Sequence, residues 1–164
     1  MKVRFATPDD LPAMYALGQA MHAESRFRHY PMDSKRVEAM LRDMVTHPAT
    51  ACALLAETHE GELAGGLGAF VTTYFFADVR VVQDKWFYVA PLHRGSAAAL
   101  KLMLAVRRWA ENRRARELNI NMSVDIDRDR FERFMGHLQF RNCGSNFFLP
   151  LQGQTEAAPK IQST

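Results

Sequence analysis

The chain has 164 residues, 48% hydrophobic and 24% charged, with a net charge of +3. That length suits one domain with a sizeable core, and the composition is that of a globular protein rather than a disordered or fibrous one. No apolar run reaches membrane-spanning length. The opening Met1-Lys-Val-Arg-Phe-Ala-Thr7 lacks a signal-peptide hydrophobic region, and Cys52 and Cys143 form neither a disulfide framework nor a metal spacing. A cytoplasmic protein with two free thiols is expected.

Val3-Arg-Phe5 alternates and reads as a first strand. Thr7-Pro-Asp-Asp10 reads as a helix start: Thr7 caps, Pro8 suits the first turn, and Asp9 and Asp10 complement the helix dipole. The helix runs to about His22, with Leu11, Met14, Leu17 and Met21 on one face. Glu24 to Met32 is polar and aromatic and reads as a loop. Asp33 or Ser34 caps a second helix carrying Val37, Met40, Leu41 and Met44, which ends near His47-Pro48.

Ala51 to Glu57 reads as a strand, His59-Glu-Gly-Glu62 as a hairpin turn with Gly61 at positive φ, and Leu63 to Tyr74 as a long third strand. Gly65, Gly66 and Gly68 lie inside it. No helical pattern follows them, so the physical requirement of a phosphate loop is unmet. They mark a bulge or a close backbone approach instead.

Val81 to Val89 is the fourth strand, with Asp84, Trp86 and Tyr88 expected on one face and Lys85, Phe87 and Val89 on the other. An acid in an apolar strand is either edge-exposed or ion-paired, or else buried. If buried, its pKa rises and it can take a proton from an amine near neutral pH. Pro91 then ends the ladder, and Arg94-Gly95 makes a tight corner. From Ser96 the pattern turns helical, with Ala98, Leu102, Val106 and Trp109 at spacings of four, four and three. A strand, a short turn and a helix N-terminus together aim unpaired backbone N–H groups and the positive helix end at one spot. Gly95 to Ala99 are all small, and Arg94 at the mouth can add charge-assisted hydrogen bonds. An anion, above all a phosphate, fits there. The same residues also suit an ordinary turn that packs a helix on a sheet.

The helix ends near Arg114. Leu118 to Val124 alternates as a fifth strand, giving a parallel βαβ unit. Asp125-Ile-Asp-Arg-Asp129 has Arg130 and Gly136 where a calcium loop needs Gly and an acid. No metal is expected, and the acids cap a helix over Arg128 to His137 carrying Phe131 and Phe134, with Leu138 just past its end. Gly144 to Leu151 reads as a closing strand and Gln152 to Thr164 as a disordered tail. From Leu92 to Arg141 eleven Lys or Arg face six acids. This is either a solvated helix face or an attractor for a polyanionic cofactor or nucleic acid.

Pro91-Leu-His-Arg-Gly-Ser-Ala-Ala-Ala99 resembles the pyrophosphate loop of the GNAT superfamily, the acetyl-CoA-dependent N-acyltransferases, whose motif is Gln/Arg-x-x-Gly-x-Gly/Ala. Arg94 and Ala99 fit it, and Ala97 stands where the family usually has Gly. Arg4-x-x-x-Pro-Asp-Asp-Leu11 and Phe134-Met-Gly-His-Leu-Gln-Phe140 are similar to the family's opening and final segments. Met135 stands where the family commonly has a Tyr that protonates the departing thiolate. The resemblance spans residues 2–151 and is nearest to phage-type or related bacterial members.

The resemblance implies a single α/β domain over residues 1–151, with a mixed, mostly antiparallel, twisted sheet and helices on both faces. It implies acetyl-CoA as co-substrate, no metal, and direct attack of a primary amine on the thioester. Asp84, or a water it holds, would be the general base. Water, Tyr88 or Ser96 would stand in for the missing Tyr, or catalysis would be weak or absent. The N–H near Val89 would stabilise the oxyanion. Val89, Arg94, Gly95, Ser96, Ala97, Ala98, Ala99 and Asp127 would hold the cofactor. Phe27, His29 and Tyr30 fall on the family's acceptor side, either as contacts to a small-molecule or peptide amine or as loop anchors. Family members are often dimers, which makes a homodimer a candidate assembly. Met135 and Ala97 motivate an alternative, a non-catalytic acyl-CoA-binding or protein-interaction module. The basic excess motivates a weaker one, a charged RNA acceptor, although nucleic acid is not the expected partner.

Overall fold

The computed structural model describes residues 1–122, 128–144 and 149. Two units are distinguished, Met1–Asp125 and Ile126–Thr164. The first is built on a five-stranded sheet in the order β1 (Lys2–Phe5), β2 (Ala51–Glu57), β3 (Leu63–Tyr74), β4 (Ala77–Val89), β5 (Glu117–Asn119). The first four strands pair antiparallel, and β5 pairs parallel to β4. The expected mixed, mostly antiparallel sheet is therefore present. Its parallel pair is bridged by α3 (Ala98–Asn112).

α1 (Leu11–Glu24) and α2 (Ser34–Thr46) precede β2. A 3-10 turn over Pro8–Asp10 leads into α1. There Thr7 N and Oγ1 both donate to Asp10 Oδ2, and Arg4 forks onto both Asp10 oxygens at 2.7 Å while its Nε reaches Glu57 Oε1. The Arg4 hydrogen bonds hold the Asp10 carboxyl well below the usual range. The Arg4-to-Asp10 spacing seen in the sequence is thus a clamp between the edge of the sheet and the first helix. Asp33 caps α2 by accepting from Arg36 N.

Six of the seven β2 residues are buried, as befits a strand covered on both faces. Met14 of α1 and Leu41 and Met44 of α2 cluster with Ala51, Ala53, Leu55 and Trp86 on one face. Cys52, Leu54, Ala56, Leu67 and Ala69 are buried on the other. α3 contributes Leu102, Met103, Val106 and Trp109 to the core and contacts β1 to β4. Helices therefore lie on both faces, as the periodicity of Ala98, Leu102, Val106 and Trp109 implies.

Two features of β4 depart from the expected strand. It starts at Ala77, earlier than Val81, because Tyr74 pairs with Ala77 around a tight turn. Beyond Phe70, β3 has no β2 partner, and the first four residues of β4 carry no apolar run to reveal the strand. The second feature is a register shift: Gly68 faces Trp86, but its neighbour Ala69 faces Asp84, so Lys85 is an extra, unpaired residue. Such a bulge breaks the alternation of side chains. Adjacent β3 residues point to opposite faces. Asp84 therefore lies with Ala69 on the α3 face, and Trp86 and Tyr88 lie with Gly68 and Gly66 on the α1–α2 face. The expectation that all three share one face is corrected by this bulge.

The glycines of β3 serve the close approach read from the sequence. A Cβ at Gly66 would fall 2.4 Å from the Trp86 ring, and one at Gly68 would fall 2.2 Å from Trp86 Nε1 and 2.7 Å from Met44 Sδ. The indole is laid across a bare backbone.

β5 is shorter than expected and ends at Asn119, because the next donor along it, Asn121 N, turns to the Asp84 carboxylate instead of the β4 backbone. In the second unit α4 spans Arg128–His137 as expected, with Met135 buried and Arg128 paired to Glu132 at 2.8 Å. Apart from Gly144 and Leu149, the closing strand and the tail from Gln152 lie outside the described residues.

Gly68→Ala is expected to cost about 1–3 kcal/mol through overpacking. The share of that cost due to the indole should vanish in a Trp86→Ala background, measured as a coupling in urea denaturation.

Candidate active site

After Val89 the chain passes through Ala90 and a 3-10 turn, Pro91–His93, to an extended Arg94 (φ −68, ψ 134). Gly95 takes φ +89, a conformation that glycine adopts at no steric cost. Ala97 sits at φ −73, ψ 0, just before α3. That negative φ suits any L-residue, so the Ala in place of the family's Gly is unstrained. Ser96 stays outside the helix: its N–H donates to His93 O, and its Oγ accepts from Ala98 N at 3.2 Å. Among the described residues no acceptor is recorded for the N–H groups of Gly95, Ala97, Ala99 or Leu100. Small side chains, a left-handed corner and free amides at a helix N-terminus fit a diphosphate.

Arg94 does not stand at that mouth. Its Nη2 pairs with Glu24 Oε2 at 2.6 Å, its Nε donates to Val89 O at 3.1 Å, and its guanidinium lies 5.6 Å from the Tyr88 ring centre. Tyr88 donates its hydroxyl to the other Glu24 oxygen, Oε1. Partial burial pushes the Glu24 carboxyl up, but the bonds from Tyr88 and Arg94 outweigh it and hold it below the ordinary value. Burial, with the bond to Glu24, pushes the Tyr88 phenol up to about 12.

Asp84 is 7% exposed. Its Oδ1 accepts both Asn121 N at 2.9 Å and Asn121 Nδ2 at 2.8 Å, and no partner is recorded for Oδ2 among the described residues. Burial raises its pKa to about 6, against the lowering effect of the Asn121 bonds. A carboxylate with one oxygen fixed and the other open, titrating near neutrality, is chemically suited to proton transfer.

Val89 is the last residue of β4. Ala90 N donates across to Ala64 O on β3, so the alternation of strand donors turns Val89 N–H the opposite way. On that side β5 pairs only as far as Gln83 with Asn119. The structure thus brings Tyr88 and Arg94 together through Glu24, and sets Asp84 with Asn121 on the other face of the strand. Phe27 and Tyr30 are 37% and 65% exposed, and His29 is exposed beside them. They lie in the loop between α1 and α2, which begins directly after Glu24. None of the three is buried in the core. Asp127 lies outside the described residues.

Glu24 and Asn121 were not singled out in the sequence. Glu24 does carry a signal. An acid in the last turn of a helix opposes the dipole, so it implies a cationic partner. Asn121 carries none beyond being polar in an alternating strand. Cys52 is buried, which pushes its thiol up to about 12, and Cys143 is exposed; both are free. Among the described residues no group of three or more His, Cys, Asp or Glu could hold a metal ion, and no helix is long and apolar enough to cross a membrane.

The model of the acetyltransferase (GNAT) family matches residues 16–137. No curated protein matches the chain. Among solved structures, a probable acetyltransferase aligns with TM-score 0.70 at 19% identity over 92% of this chain and 98% of its own. A ribosomal-protein-alanine N-acetyltransferase from Brucella melitensis biovar Abortus 2308 aligns with TM-score 0.65 at 18% identity, over 92% of this chain and 100% of its own. AAC(6')-Iy in complex with the bisubstrate analogue CoA-S-monomethyl-acetylneamine aligns with TM-score 0.67 at 17% identity, over 92% and 97%.

Carbon-detected NMR titration should find Asp84 titrating near 6 and, in Asn121→Ala, higher still, because a bond to the charged form is removed. The folded pKa lies above the reference 3.8. The Asp84 contribution to stability is therefore fully present below pH about 4 and is lost as pH rises through about 6. Asp84→Asn should abolish that slope in denaturation series across this range.

Proposed function

Since this chain belongs to the GNAT acetyltransferase family, we propose that it moves an acetyl group from acetyl-CoA, the co-substrate of that family, to a primary amine of a small molecule or peptide. The observation that carries this reading is the buried Asp84, with Oδ1 fixed by Asn121 and no partner recorded for Oδ2 among the described residues. The amine acceptor is supported by the neighbours, one of them named for N-acetylation of a ribosomal-protein alanine.

Acetyl-CoA, when bound, supplies an activated thioester carbonyl. The amides of Gly95, Ala97, Ala99 and Leu100 bind its diphosphate, with the α3 N-terminus adding its dipole. Val89 N–H, turned away from β3, donates to the carbonyl oxygen as negative charge builds there. The amine nitrogen forms the new bond to carbon, and the carbon–sulfur bond breaks. Asp84 takes the amine proton. A strand rises about 3.3 Å per residue, so Asp84, five residues before Val89, lies roughly 15 Å along the strand and receives that proton through a chain of several waters rather than directly.

Met135 has no proton to give a leaving thiolate. Tyr88 already donates to Glu24, and its pKa of about 12 makes it a poor acid at neutral pH. The thiolate is accordingly protonated from solvent. Phe27, His29 and Tyr30 form the wall that meets the acceptor.

Acetyl-CoA should raise the melting temperature of the wild type. Asp84→Asn should lower turnover about 100-fold or more, measured by thiol release over a panel of amines, amino acids and peptides. It should leave acetyl-CoA affinity by calorimetry nearly unchanged. The wild-type rate should fall below pH about 6, as Asp84 becomes protonated. Full turnover in Asp84→Asn would remove Asp84 from the mechanism.

A further inference from the structure

We propose that Glu24 is a positioning residue that couples the acceptor-side loop to the diphosphate-binding loop, so that binding of acetyl-CoA orders the wall that receives the acceptor. This rests on the transferase reading above. One carboxylate at the end of α1 holds two groups far away in sequence: Tyr88, the penultimate residue of β4, through Oε1, and Arg94, the residue directly before Gly95, through Oε2. Arg94 closes the figure by donating to Val89 O and lying over the Tyr88 ring.

The residue after Glu24 starts the acceptor-side loop, and that loop is hung from Ser25. Ser25 is buried, its Oγ donates to His22 O and accepts from Phe27 N, and its carbonyl accepts from Arg28 N. Tyr30 N then bonds Phe27 O. Beyond these local bonds, Phe27, His29 and Tyr30 are exposed. The order of the loop therefore depends on how firmly its root is held.

A ligand that fixes the backbone from Gly95 onward also fixes Arg94. Arg94 grips Glu24 by a charge-assisted bond, and Glu24 sets the root of the loop. A charge at the wrong end of α1, disfavoured by the dipole, is retained because it joins the two sites. Coupling of this kind is reciprocal: whatever tightens the loop on acetyl-CoA binding makes a bound acceptor tighten acetyl-CoA equally.

Hydrogen exchange read by mass spectrometry tests this without an identified acceptor, using the whole chain and acetyl-CoA as the probe. In the wild type, exchange of the Phe27, Arg28 and Tyr30 amides should slow about fivefold or more on saturation with acetyl-CoA. Glu24→Ala, which places the best helix former at a half-buried helix end, should bind acetyl-CoA by calorimetry yet show less than about a twofold change in these amides. The isosteric Glu24→Gln, neutral and unable to hold Arg94 by charge, carries the same expectation should the alanine variant not fold. A role confined to stability would alter loop exchange equally with and without acetyl-CoA. The same slowing in a Glu24 variant as in the wild type, or no slowing in a wild type that does bind, overturns the coupling. Absence of acetyl-CoA binding in the wild type sinks the transferase reading instead.

Discussion

One unpaired residue in β4, Lys85, governs the geometry around the site. Pairing moves from Gly68 with Trp86 to Ala69 with Asp84 across it, so the residues on its two sides go to opposite faces. Trp86 is delivered to the α1–α2 core, where Gly66 and Gly68 leave the width its indole needs. Asp84 is delivered to the other face, in reach of the chain leaving β5. A strand of unbroken alternation would put an acid and an indole side by side against the same helices, where the acid would have neither solvent nor Asn121 for company.

The same residue explains why the sheet opens. Asn121 spends its backbone N–H and its amide group on Asp84 Oδ1. The parallel ladder therefore stops after Asn119, and among the described residues none pairs with the far end of β4 on that side. A carboxylate thus replaces a rung of the ladder, and burial then carries its pKa toward neutrality. An opening in the sheet and a group able to move a proton arise from one local irregularity.

Arginine forks do much of the remaining tying. Arg4 joins β1 to Asp10 and Glu57, and Arg94 joins the anion-binding turn to Glu24. In the basic stretch after Leu92, Arg107 pairs with Glu111, while Arg113 donates to Ala49 O and lies over Trp109. These are local structural roles. They favour the reading of a solvated helix face over that of a polyanion attractor for these two residues.

The sequence by itself determined the order of elements, the core faces of α2 and α3, the glycine approach in β3, and the strand–turn–helix that presents free amides after Gly95. These follow from periodicity, capping and the steric freedom of single residues, all of which act over a few neighbours along the chain. It also singled out Asp84, because an acid in an apolar strand is conspicuous. Only the tertiary structure decided which face Asp84 takes, that Arg94 turns back to Glu24 rather than standing over the diphosphate turn, and that β5 ends at Asn119. Each of these depends on pairing between residues well separated along the chain: Ala69 with Asp84, Glu24 with Tyr88 and Arg94, Asp84 with Asn121. A one-residue shift in register or one long-range hydrogen bond is not written in local pattern: Asp84 and Glu24 stand out singly, but nothing near them names the residue the fold brings to each.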